Sequence, residues 1–165
     1  YYQISQIAPS EDDDYFRFSK LQGFVHDMGA SMQGGIGGHA GLFGTAEDVS
    51  KVMQLFLNKG IYANNTIFNS VSFDLFNKRH FNENRRGIGF DKPQLDENVL
   101  STCGCVSDES FGHSGFTGTY AWADPQDNLV YVFLSNRTYP TMRNNMISEY
   151  NIRTEVHRLI KEASE

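Results

Sequence analysis

A chain of 165 residues, 39% hydrophobic and 13% aromatic, is long and apolar enough to fold as one domain around a core, which excludes a disordered polypeptide. Its 14 basic residues against 20 acidic ones leave a net charge of −6, and the only adjacent basic pairs are Lys78-Arg79 and Arg85-Arg86, so no nucleic-acid or anionic-membrane partner is expected. No apolar run approaches the ~20 residues that cross a bilayer, so no membrane span is expected, and no signal-type segment is visible. The start on Tyr1-Tyr2 in place of Met is read as a processed or excised product.

Up to about Gln22 the chain reads as loop, with the acidic run Glu11-Asp12-Asp13-Asp14 solvated among aromatic residues and not binding metal. Residues 29–44, "GASMQGGIGGHAGLFG", read as a second loop, one that needs positive φ or close backbone contact. Gly35 to Ala40 match G-x-G-x-x-A, but no β-branched strand precedes them and no acidic residue follows about 20 positions on, which speaks against dinucleotide binding. An amphipathic helix comes next. Thr45 is its expected cap with Asp48 as capping-box partner, Val49, Val52, Met53, Phe56 and Leu57 form its apolar stripe, and Gly60 ends it.

Residues 61–110 are the hardest to read, although "TIFNSVSFDLF" suggests a strand followed by a helical turn. Cys103 and Cys105 flank one glycine, a spacing that looks too tight for an easy disulfide and too sparse for zinc. From Tyr120 a strand alternates aromatic and alanine, Asp124 to Asn128 carry turn chemistry, and Leu129 to Leu134 form a continuous apolar arm. That arm looks buried on both faces, which places the hairpin inside a sheet and not at its edge. From about Asn144 a C-terminal helix is expected to cover the sheet with Ile152, Val156, Leu159 and Ile160. The fold class is α+β, an antiparallel β-sheet flanked by helices.

The segment before the hairpin carries the chemistry. Gly112-His113-Ser114-Gly115-Phe116-Thr117-Gly118-Thr119 is too small and too hydroxylic for core packing alone, and is placed on the first arm of the hairpin. Phe116 stands where the nucleophile elbow G-x-S-x-G needs glycine, so Ser114 is a poor nucleophile. A strand that starts His-Ser-Gly suits the wall of a cleft instead: Ser114 donates to a substrate carboxylate, Gly115 lets the substrate approach, and the Phe116 N–H faces a developing oxyanion.

His-Ser-Gly followed by "TYAWADPQDNLVYVFLSNR" resembles the third motif of serine β-lactamase-like proteins, the class C β-lactamases, DD-peptidases and related esterases. The upstream "GGHAGLFGTAEDVSKVMQLFL" is similar to the Gly-rich loop and helix of the same family. A narrower likeness is to the β-lactamase-like domain C-terminal to glycoside hydrolase family 3 β-N-acetylglucosaminidases. The resemblance implies a partial β-lactamase/transpeptidase-like fold, with His113 and Phe116 as catalytic residues and with Ser114, Gly115, Thr117 and His39 on the substrate side. It also implies that His39 to Phe43 rim the cleft lined by His113, that the substrate is a small or cell-wall-derived molecule, that no cofactor or metal takes part, and that the setting is periplasmic or secreted.

Family chemistry needs a Ser-x-x-Lys, and no serine of this chain has lysine three places on. Tyr62-Ala63-Asn64 matches the second motif but follows the helix instead of preceding the Gly-rich loop, and reads as a turn. Residues 1–165 are accordingly expected to be the C-terminal half of a β-lactamase-like domain, completed by a missing N-terminal half. The alternative is a non-catalytic module that binds a cell-wall or sugar ligand or braces a neighbouring glycosidase domain. A carboxylate-pair glycosidase is disfavoured, because no Asp/Glu pair is placed by recognisable structure.

Overall fold

The computed structural model describes residues 3–96 and 101–164. The chain divides into two compact units: residues 3–45, 115–119 and 134–150 form the first, and residues 46–96, 101–114, 120–133 and 151–164 the second.

In the first unit β1 (Pro9–Asp13) and β2 (Ser19–Gln22) pair antiparallel, with an irregularity between Pro9 and Glu11. The expected solvated loop is therefore a hairpin, and its acidic run is solvated only in part: Asp12 and Asp14 are exposed, but Glu11 and Asp13 are 1% and 2% exposed. Carboxylates tolerate burial when every oxygen is met by a donor. Asp13 accepts from the main-chain N–H groups of Tyr15, Phe16 and Arg17 and from Arg17 Nε, at 2.8–3.1 Å. Glu11 accepts from the Tyr15 hydroxyl (2.9 Å) and the Met142 N–H (3.2 Å), and His26 Nε2 lies 3.2 Å from it. The Arg17 guanidinium goes on to the carbonyls of Val25 and His26.

The later segment of this unit lies along β1. Thr138 Oγ1 donates to the Ser10 carbonyl at 2.7 Å, the Asn136 amide to the Pro9 carbonyl, and Asp12 N–H to the Pro140 carbonyl at 2.9 Å. The expected Gly-rich loop is partly helical: α1 (Met28–Met32) is capped by Asp27, whose carboxylate accepts from Ala30 N–H at 2.7 Å. Beyond it Gly34, Gly35 and Gly41 take the positive φ expected of the segment. A short helix, α4 (Met146–Glu149), closes the unit.

The second unit is built on a three-stranded antiparallel sheet ordered β5-β6-β7: β5 (Phe111–Ser114), β6 (Tyr120–Asp124) and β7 (Leu129–Phe133). Two expectations are corrected here. Residues 112–119 are not one arm, since β5 ends at Ser114 and the chain returns as β6. The apolar arm β7 is an edge strand of the described sheet, and the central strand is β6, whose alternating alanines leave room for neighbours on one face.

The period-2 rule sorts the two faces. Phe111, Ala121, Ala123 and Val130 pack with Met53, Phe56 and Leu57 of α2 (Ala46–Leu57), and with Phe73 of α3 (Ser70–Asn77), Phe68 and Phe90. Val52, expected in the stripe of α2, is exposed, because the packed face runs through Val49, Met53, Phe56 and Leu57 alone. Tyr120, Trp122 and Tyr131 form the opposite face with Val106, Phe133 and Val156.

The expected C-terminal helix is α5 (Ile152–Ser164), entered after Asn151 at positive φ. Its inward face differs from the expected one: Val156 joins the core, but Leu159 is 54% exposed and the fully buried side chain is His157. The Tyr131 ring stacks on the His157 imidazole at 4.5 Å and its hydroxyl donates to the Arg153 carbonyl, so this aromatic fit sets the rotation of the helix.

Of Tyr62-Ala63-Asn64, Tyr62 ends β3 (Ile61–Tyr62), and Ala63 and Asn64 form the two-residue turn to β4 (Asn65–Thr66), both at positive φ, as a tight hairpin turn requires. Cys103 and Cys105 form a disulfide, against the expectation from spacing, since their Cα atoms sit 5.2 Å apart, within the range disulfides use. Among the described residues no helix is long and apolar enough to cross a membrane.

Candidate functional site

The candidate residues fall in both units. In the second, β5 starts in the core and ends in solvent: Phe111 and Gly112 are buried, His113 and Ser114 exposed. Gly112 answers to close approach, because a Cβ there would lie 2.2 Å from the Ala121 carbonyl oxygen and 2.3 Å from the Trp122 ring. Its main chain exchanges reciprocal hydrogen bonds of 2.9 and 3.0 Å with Asp91, and it stands opposite Trp122 in the register with β6. The strand end is thus anchored at its base. His113 Nδ1 lies 2.8 Å from the Ser114 carbonyl oxygen. A carbonyl only accepts, so Nδ1 carries the hydrogen and Nε2 of the neutral ring keeps a lone pair.

In the first unit, residues 115–119 form a tight turn. Gly115 N–H donates to the Thr119 carbonyl at 2.8 Å, and Gly118 N–H to the Gly115 carbonyl at 3.0 Å. The Gly115-Phe116 peptide is trans, so its N–H points opposite to its C=O. The Gly115 carbonyl faces the turn interior, and the Phe116 N–H therefore points out of the turn. It meets no acceptor among the described residues. The Phe116 side chain is 60% exposed, its ring 5.4 Å from the His26 ring and 4.2 Å from the Arg137 guanidinium carbon.

Also in the first unit, His39 Nε2 pairs with Asp27 Oδ1 at 2.8 Å. The Asp27 carboxyl is held below its usual range, first by the Ala30 N–H and then by His39. Thr117 lies in the turn with its carbonyl accepting from Arg137 N–H at 3.0 Å. Among the described residues no group of three or more His, Cys, Asp or Glu is placed to hold a metal.

Sequence reading missed Arg137, His26 and Glu11. Arg137 stands three residues after the apolar arm in "LSNR", and a cation just past a strand that follows a Gly-rich turn was the available signal. His26 and Glu11 carried no such signal, since their contact spans fifteen residues and depends on the hairpin between them.

The family model described as Beta-lactamase matches residues 6–152. A protein of Salmonella agona (strain SL483), named as a D-alanyl-D-alanine carboxypeptidase, is 33% identical over 134 residues, covering 80% of this chain and 31% of the relative. A protein of the same name from Salmonella typhi matches with the same identity and coverage. The chain thus spans less than a third of the length of these relatives, and their name speaks to the broad resemblance, not to the narrower glycosidase-associated one.

Proposed function

The chain belongs to the β-lactamase family and is a domain of serine-hydrolase type, and from that premise we propose that residues 1–165 are the C-terminal half of an acyl-transfer domain. The observation that carries this reading is the Phe116 N–H, turned outward and without an acceptor among the described residues, two positions after an exposed His-Ser strand end.

In this reading the upstream half supplies the nucleophilic serine and its lysine. The serine oxygen attacks the carbonyl carbon of an amide or ester, and the carbonyl electron pair moves onto oxygen, where the Phe116 N–H donates to it. The tetrahedral adduct collapses, the amine or alcohol leaves with a proton, and water repeats the sequence to release the acid. In this reading His113 takes part in the proton transfers through Nε2. Ser114 donates to a substrate carboxylate, and Gly115, Thr117 and His39 lie on the substrate side. The substrate class is a small or cell-wall-derived amide or ester.

The test is steady-state kinetics of the full-length protein on a β-lactam and an ester. Ser114→Ala is expected to lower kcat/KM on carboxylate-bearing substrates by roughly 10- to 100-fold, as loss of a hydrogen bond to a charged group implies. His113→Ala is expected to depress turnover on both substrates. Unchanged kcat/KM in both folded variants would favour the alternative, a non-catalytic module that binds ligand or braces a neighbour.

A further inference from the structure

We propose that Arg137 is the positioning residue for the Phe116 N–H, an inference that rests on the function proposed above. The turn that carries this N–H has little to hold it by packing: it contains two glycines, and its one large side chain is mostly exposed. What holds it is the segment 135–137. Ser135 Oγ donates to the Gly118 carbonyl at 2.8 Å, Arg137 N–H to the Thr117 carbonyl at 3.0 Å, and Arg137 Nε to the Phe116 carbonyl at 2.6 Å. Three successive carbonyls of the turn are thus fixed from one side.

The same guanidinium is itself fixed, since its NH1 donates to the carbonyls of Met142 (3.0 Å) and Asn144 (2.9 Å) while its plane lies by the Phe116 ring. Gly118, at φ +102°, lets the segment run this close: a Cβ there would lie 2.3 Å from Ser135 Oγ and 3.3 Å from Arg137 Cβ. Phe116 contributes its N–H to one peptide plane and its carbonyl to the next. With the carbonyl pinned by Arg137 and the preceding Gly115 carbonyl pinned by Gly118 N–H, both planes flanking Phe116 are set. Its N–H is held in one direction before any substrate arrives, which is the condition under which a donor stabilises an oxyanion without reorganising. Arg137 touches neither the substrate nor the reacting atoms in this scheme. A lysine would keep the charge but lacks the planar fork that reaches three carbonyls at once.

The experiment compares Arg137→Ala, Arg137→Lys and Arg143→Ala in the full-length protein. Arg143 pairs with exposed Asp14 in the same unit and makes no bond to the turn, so it controls for loss of a guanidinium. Arg137→Ala and Arg137→Lys are each expected to lower kcat about 10- to 100-fold with KM within about twofold, less than the roughly 100- to 1,000-fold cost of deleting an oxyanion donor outright, because the Phe116 N–H itself remains. The infrared carbonyl band of the trapped acyl-enzyme is expected to move to higher frequency in both, and a boronic acid that mimics the tetrahedral adduct should weaken in proportion to kcat/KM. Arg143→Ala should leave all three readouts unchanged. Where Arg137→Ala does not fold, Arg137→Lys carries the comparison. Wild-type kcat and an unmoved carbonyl band in the folded variants would overturn the positioning role alone. A wild-type protein that forms no acyl-enzyme would instead remove the proposed function, and this inference with it.

Discussion

In the first unit the most deeply buried side chains include Glu11, Asp13 and Thr138, whereas in the second they include Phe111 and Trp122. The first unit closes around carboxylates whose oxygens are met by main-chain N–H groups, a guanidinium and a tyrosine hydroxyl. The second closes around rings, with Phe56, Phe73, Phe111 and Phe90 joined in a circuit of neighbouring pairs at 5.0–6.2 Å on one face of the sheet and Tyr120, Trp122 and Tyr131 on the other. Directional bonds resist bending but fail when one partner is removed or protonated. Apolar packing tolerates changes of charge but fails when volume is lost.

The largest expected effect is on the apolar side of this contrast. Phe111→Ala removes a fully buried ring from between Phe73 and Phe90 and should cost about 4 kcal/mol. Urea unfolding would give the total, and hydrogen exchange should localise the loss to β5, β6 and α2, leaving β1 and β2 protected. Equal loss in β1 would mean that the two units share one cooperative core.

On the polar side, Asp13→Ala leaves Arg17 and three N–H groups without their acceptor. It should cost about 3 kcal/mol, somewhat softened because the Arg17 side chain is 17% exposed. Here the exchange protection should fall in β1, β2 and residues 15–17, the reverse of the Phe111 pattern.

Acid sharpens the contrast. Burial, assisted by the nearby Lys161 charge, pushes the His157 imidazole down from 6.5 to about 4. The folded state then binds fewer protons than the unfolded chain between those values, so this stability is present above pH 6.5 and is lost as pH falls toward 4. Between pH 7.5 and pH 5 the loss should be about 2 kcal/mol. Asp13 behaves differently: burial works against its charge, but Arg17 and the three N–H groups outweigh it and hold the carboxyl at about 2, below its usual 3.8. Its contribution is lost only as pH falls through that lower window. The unit built on rings should therefore weaken first in acid, through its one buried imidazole, and His157→Gln should flatten the slope between pH 7.5 and 5. An unchanged slope would place the acid sensitivity elsewhere.

What could be read from the sequence follows from the range of the interactions involved. Helix α2 was legible because its stripe and the glycine at 60 lie within fifteen residues of one another, and the β6–β7 hairpin because its turn is written locally as Asp-Pro-Gln-Asp-Asn. Burial of Glu11 was not, since one of its donors is Met142 N–H, 131 residues away, and a main-chain donor leaves no mark in residue type. The inward face of α5 was misread for a related reason: hydropathy ranks Leu159 above His157, but the Tyr131 ring selects a flat partner. At the candidate site, His113 to Thr117 stood out by composition. Arg137 did not, because all the groups it bonds are carbonyls that every residue possesses.

Strand β7 has one further consequence, for handling and not for catalysis. Leu129–Phe133 pairs with β6 on one side, and among the described residues no strand pairs with it on the other. Its five residues include no charge, no proline and no glycine, and two are β-branched. Such an edge is a template for another strand, and natural sheets usually guard it with a lysine, a proline or a bulge. Here the sequence supplies no such gatekeeper within the strand, so any preparation that leaves this edge uncovered invites strand-to-strand growth into insoluble polymer as concentration rises.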